Sequence, residues 1–216
     1  MSQADRRRLA SVRVEALLAG VPFFNEVARD DETQRTLLLS RTEVIEAAPG
    51  DRVIRAGEME SSLYFLLRGQ LVVLDENAAA AIYYVSPGEV FGTLSMLLGT
   101  PRSATIQVAD AAREAVLARL EFKDFDDHSA SPYSLATRLA FFHMLVHQIR
   151  WAVEVRRMQA ADQDLLAELR KVLVFRGRRG SEEELASLKI QARQLADLLC
   201  RWNGKPAGPA GSAQLT

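Results

Sequence analysis

Between Thr42 and Glu121 the chain breaks into short alternating runs separated by glycine turns, and this spacing limits the fold more than any other feature. The runs are Thr42–Ala47, Arg52–Ala56, Ser62–Leu67, Gln70–Asp75, Ala80–Val85, Ser103–Val108 and Ala115–Glu121. Brief strands joined by tight turns predict an antiparallel barrel or jelly roll. Residues Asn77–Ala81 read as a small-residue linker inside it.

Helical patterns flank this region, so the fold class is α+β. Residues 3–19 place Leu9, Val12, Ala16 and Leu17 on one face and arginines on another, and a second short helix is predicted over Glu32–Leu39. Phe122–Asp127 reads as a short helix. Ser131-Pro132 then opens a long one, proline being suited to the first helical position. On it Phe142, Leu145, Ile149, Ala152 and Arg156 follow helical spacing and form an apolar stripe. A helix from Ala161 to Phe175 ends in the basic turn Arg176–Gly180. Ser181-Glu182-Glu183-Glu184 then reads as a capping box for a helix reaching Trp202. The organisation predicted is a β-rich domain with N-terminal helices (1–130), a long connecting helix (131–160), a helical appendage (161–202) and a disordered tail (203–216).

Composition narrows the classes. Of the 216 residues, 48% are apolar and 25% charged, as in ordinary globular proteins. No apolar run reaches the about 18 residues a membrane span needs, and Arg6-Arg7-Arg8 lacks the apolar core of a secretory signal. Cys200 is the sole cysteine, which excludes an internal disulfide and suits a reducing cytoplasm. Residues 1–130 carry 14 Lys/Arg against 20 Asp/Glu, and residues 131–216 carry 13 against 8. The C-terminal part is therefore the one expected to meet something acidic.

Chemistry concentrates in Val90–Ile106. A strand end meets Gly92, a short helical segment follows, and Arg102 stands just before a β-branched strand. Glycine lets backbone approach a ligand, a helix start offers unpaired N–H groups, and an arginine fork matches phosphate oxygens. Spacing alone fits two readings. One is an anion site; the other is a capping turn, with Thr93 as the cap and Arg102 paired to an acidic neighbour.

The segment Phe91-Gly92-Thr93-Leu94-Ser95 followed by Arg102-Ser103-Ala104 resembles the phosphate-binding cassette of the cyclic nucleotide-binding domain. Val21-Pro22-Phe23-Phe24, Pro49-Gly50-Asp51, Ala56-Gly57-Glu58, Leu67-Arg68-Gly69 and Pro87-Gly88-Glu89 resemble other segments of that family, so the similarity runs from about Val21 to Phe125. The resemblance implies a cyclic mononucleotide ligand, cyclic AMP foremost, no cofactor, and Arg102 and Ser103 as phosphate partners. Thr93 stands where the family has a glutamate that accepts the ribose 2′-hydroxyl. A neutral hydrogen bond there in place of a charged one weakens binding about tenfold. The resemblance further implies that the long helix forms a homodimer and covers the base, with Gln148 hydrogen-bonding its edge and Trp151 stacking on it.

In catabolite-activator (Crp/Fnr-type) regulators a helix-turn-helix follows. Leu188–Leu199 is similar to its first helix, but Cys200–Pro206 replaces the turn and recognition helix, so DNA binding is the secondary expectation. His143 and His147 are spaced for a metal on one helix face but lack a third ligand, and none of the common catalytic motifs occurs. The leading expectation is a noncatalytic, cytoplasmic cyclic-nucleotide sensor, without membrane attachment, that signals to a protein partner through its C-terminal helices.

Overall fold

In the computed structural model, residues 11–74, 81–126, 130–159 and 162–204 are described, and the chain divides into two units between Ala140 and Phe141. The expectations for residues 3–10, for all but the last residue of the Asn77–Ala81 linker, and for the tail beyond Gly204 lie outside the described residues, and Ala81 itself opens a strand.

The first unit opens with helices α1 (Ser11–Leu18), α2 (Pro22–Asp30) and α3 (Glu32–Arg41). Pro22-Phe23-Phe24, expected only as a family-like segment, starts a helix of its own, with Pro22 in its first turn. Asp31 separates α2 from α3 because its carboxylate accepts the Thr33 and Gln34 N–H groups and caps the second helix.

Next come β1 (Glu43–Ala47), β2 (Arg52–Ile54), β3 (Ser62–Arg68), β4 (Leu71–Leu74), β5 (Ala81–Val85) and β6 (Val90–Phe91). Helix α4 (Thr93–Leu98), β7 (Thr105–Val108), β8 (Ala115–Glu121) and α5 (Lys123–Asp126) follow. The strands form two antiparallel sheets, ordered β1-β8-β3-β6 and β2-β7-β4-β5. Residues from both, among them Ile45, Ile54, Tyr64, Leu66, Leu71, Phe91, Ile106 and Leu117, close one shared core, as a jelly roll requires.

Strand β3 is buried on both faces. Tyr64 and Leu66 point into the roll, while Phe65 meets Phe23 and Phe24 of α2 at 6.2 and 5.3 Å between ring centres. Phe125 of α5 reaches Phe23 at 6.2 Å, which seals this outer layer. Each such buried ring contributes about 1.5 to 3 kcal/mol.

Helix α6 (Leu135–Gln159) begins three residues after Pro132. Ser131 is used in a turn, its hydroxyl donating to the Asp124 carbonyl oxygen and accepting from the Tyr133 N–H, and Ser134 caps the helix by accepting the Thr137 N–H. Gln34 of α3 fixes that start, its side-chain oxygen accepting from the Ser134 N–H and the Thr137 hydroxyl.

The second unit contains the remainder of α6, α7 (Gln163–Leu169) and α8 (Glu182–Asn203). Phe142 and His143 meet Lys189 and Glu184 toward the start of α8, and Arg156 reaches the Trp202 carbonyl oxygen at its end, so the two helices run in the same direction. Phe142, Leu145 and Ile149 are buried within the single chain, and the exposed side of α6 carries Trp151 (65%) and Met158 (69%). Of the expected stripe, these three residues are covered within the chain, while Ala152 and Arg156 are half-buried.

Helix α7 ends at Leu169, short of the expected Phe175. Past Arg170 the Leu173 N–H donates to the Gln194 side chain and not to a helical carbonyl. At α8, Ser181 accepts the Glu184 N–H as expected, but the Glu184 carboxylate reaches the Gly180 N–H, one residue before the cap. Cys200–Asn203 continue α8 without a turn.

Candidate functional site

Gly92 adopts φ +79° and caps α4 without a side-chain bond, so the capping role considered for Thr93 belongs to the glycine backbone. A β-carbon at Gly92 would meet Arg102 Nη1 at 2.7 Å. The guanidinium therefore lies against the glycine, and both the positive φ and the close approach require this residue.

Arg102 is 4% exposed, and both of its terminal nitrogens are fully used. Its Nη1 donates to the Gly92 carbonyl oxygen (2.5 Å) and Ser95 Oγ (3.0 Å). Its Nη2 donates to the Ser62 carbonyl oxygen (2.6 Å) and Glu60 Oε2 (3.2 Å). Two terminal nitrogens carry four hydrogens, and all four are used. Nε is buried without a partner among the described residues. The backbone of Arg102 is fixed as well, its N–H donating to the Glu58 carbonyl oxygen and its own carbonyl oxygen accepting the Gly57 N–H.

The acidic neighbour allowed for Arg102 is therefore present, and it is a hub. Glu60 also accepts the Tyr64 hydroxyl (2.5 Å) and pairs with Arg119 Nε (3.4 Å). Arg119 in turn bridges Glu43 at 2.9 Å and Glu121 at 2.6 Å. Burial, followed by the Glu60 hydrogen bond and charge, pushes the Tyr64 phenol well above its usual range, so it stays a donor. Sequence reasoning missed this network because its members lie on β1, β3, β8 and the turns before β3 and β7, with bonded partners up to 76 residues apart. The one signal available was a buried-strand pattern carrying arginine and glutamate where apolar residues are the rule.

Of the expected ligand residues, Phe91, Thr93, Ser95 and Arg102 are buried around the Gly92 turn, and Leu94 and Ala104 are half-buried. Ser103 is exposed. Gln148 and Trp151 belong to the second unit, on α6. His143 sits 3.2 Å from the buried Glu184 carboxylate.

Comparison with known proteins finds a family match over this region. The sequence model of the cyclic nucleotide-binding domain matches residues 44–129, which include the whole Gly92–Arg102 turn. A cGMP-dependent protein kinase of Eimeria tenella is 31% identical over 106 residues, 49% of this chain and 10% of the kinase. A cyclic nucleotide-gated potassium channel of Rhizobium etli is 31% identical over 132 residues, 60% of this chain and 34% of the channel. The matched part of the chain thus spans 10% and 34% of the length of these relatives. The regulatory domain of Toxoplasma gondii PKA with cAMP aligns with a TM-score of 0.45 at 18% identity, covering 62% of this chain and 49% of that one.

Proposed function

We propose that the cyclic nucleotide-binding domain of residues 44–129 acts in this chain as a noncatalytic sensor of a cyclic mononucleotide, with cyclic AMP the leading ligand. The observation that carries the reading is the Gly92–Arg102 turn within the matched domain, where a buried guanidinium is held against a glycine in the left-handed conformation.

The hydrogen-bond inventory of Arg102 supplies a mechanism. Because its terminal donors are all occupied, a phosphate can reach them only by replacing an acceptor. Glu60 is the one to yield, since its contact is the longest of the four and it keeps Tyr64 and Arg119 when it leaves. The exchange is anion for anion, so no bare charge is buried. In this reading exposed Ser103 donates to the same phosphate from the solvent side, and Phe91, Gly92, Thr93, Leu94, Ser95 and Ala104 frame it. Thr93 offers the ribose a neutral hydroxyl, giving the about tenfold weaker binding expected for that half. Release of Glu60 shifts the Arg119–Glu43–Glu121 chain across β1, β3 and β8, and a ligand that prefers the shifted arrangement changes its population.

The output is a protein partner at the C-terminal helices. Self-association, where it occurs, uses the exposed side of α6 with Trp151 and Met158, because Phe142, Leu145 and Ile149 are consumed within the chain. The lone Cys200 suits a reducing cytoplasm.

The test is calorimetric titration of the chain and of Arg102→Ala with cyclic AMP, cyclic GMP and cyclic di-GMP. Saturable binding to a cyclic mononucleotide is expected, weakened at least about tenfold by the substitution. Unchanged affinity in a folded Arg102→Ala variant would overturn the assignment.

A further inference from the structure

The segment from Arg170 to Gly180, between α7 and α8, has a composition that the nucleotide reading does not use. It carries Arg170, Lys171, Arg176, Arg178 and Arg179 with no carboxylate among them, around the apolar run Val172-Leu173-Val174-Phe175. All five cations are exposed, and among the described residues none is ion-paired. Leu173 and Val174 are 41% and 57% exposed.

These side chains are presented by a fastened backbone. The Leu173 N–H is held by Gln194 at 3.0 Å, and the Ser181 hydroxyl holds the Arg178 carbonyl oxygen at 2.9 Å. A β-carbon at Gly177 would come within 2.5 Å of the Phe175 ring, so that ring folds back over the glycine. Leu173 and Val174 are left facing water at the tip. Of the neighbouring acids, Glu168 and Asp197 are both paired with Arg201, and Glu184 is engaged by His143 and the Gly180 N–H.

We propose that Arg170–Gly180 docks the protein peripherally on an anionic phospholipid surface. Leu173 and Val174 enter the headgroup boundary, and the flanking arginines and lysine meet lipid phosphates and carboxylates. Cations alone would suit any polyanion. The two aliphatic side chains set between them select a surface with an apolar layer beneath its charge. No helix of the described residues is long and apolar enough to cross a membrane, and this docking needs none. The proposal stands apart from nucleotide binding, since all of its residues lie in the second unit.

The experiment is flotation of the full chain with vesicles of phosphatidylcholine alone, or with roughly a third phosphatidylserine. Binding to the anionic vesicles only, reversed by high salt, is expected. Each cation near such a surface is worth about fivefold in binding, so combined Arg176→Gln, Arg178→Gln and Arg179→Gln should weaken it about a hundredfold. Combined Leu173→Ser and Val174→Ser should weaken it about tenfold with the charge intact. All five positions are exposed, and circular dichroism checks that the variants fold. Equal binding to both vesicle types, or to neither, overturns the proposal. So does a serine variant that binds vesicles normally while duplex DNA competes, which would identify the segment as a nucleic-acid contact.

Discussion

Substituting alanine at Gly92 and, separately, at Gly99 tests the placement of Arg102 by difference. Both glycines flank α4, and both have positive φ, +79° and +63°. At Gly99 an added β-carbon meets nothing within 4 Å, so Gly99→Ala carries only the left-handed backbone cost of about 1 kcal/mol. At Gly92 the same carbon lands 2.7 Å from Arg102 Nη1. The guanidinium must withdraw and lose at least one charge-assisted hydrogen bond, about 2 kcal/mol more. In urea, with a slope of about 2 kcal/mol/M, the midpoints should fall by about 0.5 M for Gly99→Ala and about 1.5 M for Gly92→Ala. Circular dichroism in the β region follows the first unit. Tryptophan fluorescence reports separately on the second unit, where Trp151 and Trp202 both lie. Equal midpoint shifts for the two variants would refute the contact between Gly92 and the guanidinium.

Other predictions follow from the second unit. Trp151→Ala, which removes the large exposed side chain of α6, should weaken self-association at least about tenfold by light scattering, whereas an unchanged mass would place the contact elsewhere. Burial, and then the nearby Asp197 carboxylate, raise the Cys200 thiol pKa above its usual value. At neutral pH Cys200 should therefore react with a disulfide reagent at least about ten times more slowly in the folded chain than in urea.

Much of the fold could be read from the sequence because the β-rich region obeys local rules. Positive φ at Gly50, Gly57, Gly69, Gly88 and Gly92 ends or turns strands where the glycines interrupt the alternation. The helix boundaries departed where side chains competed with the helix for backbone groups. Ser131 and Ser134 delay α6 to Leu135, and Gln194, 21 residues away, takes the Leu173 N–H. Within the candidate site, the proximity of Gly92 and Arg102 follows from a short turn and helix between them. The other acceptors of Arg102 were not legible in the sequence, since Ser62 and Glu60 are 40 and 42 residues distant and only the pairing of strands brings them near.

The bond from Arg102 to the Gly92 carbonyl joins residues ten apart and turns the segment between them into a ring without a covalent link. A second hydrogen bond inside it, from the Thr100 N–H to the Ser95 carbonyl oxygen, braces the ring across its width. Such a macrocycle has lost its loop entropy on folding, before any ligand arrives. The nucleotide binding proposed above should therefore carry little of the ordering penalty typical of a flexible phosphate loop, with Arg102 serving as the clasp of the ring.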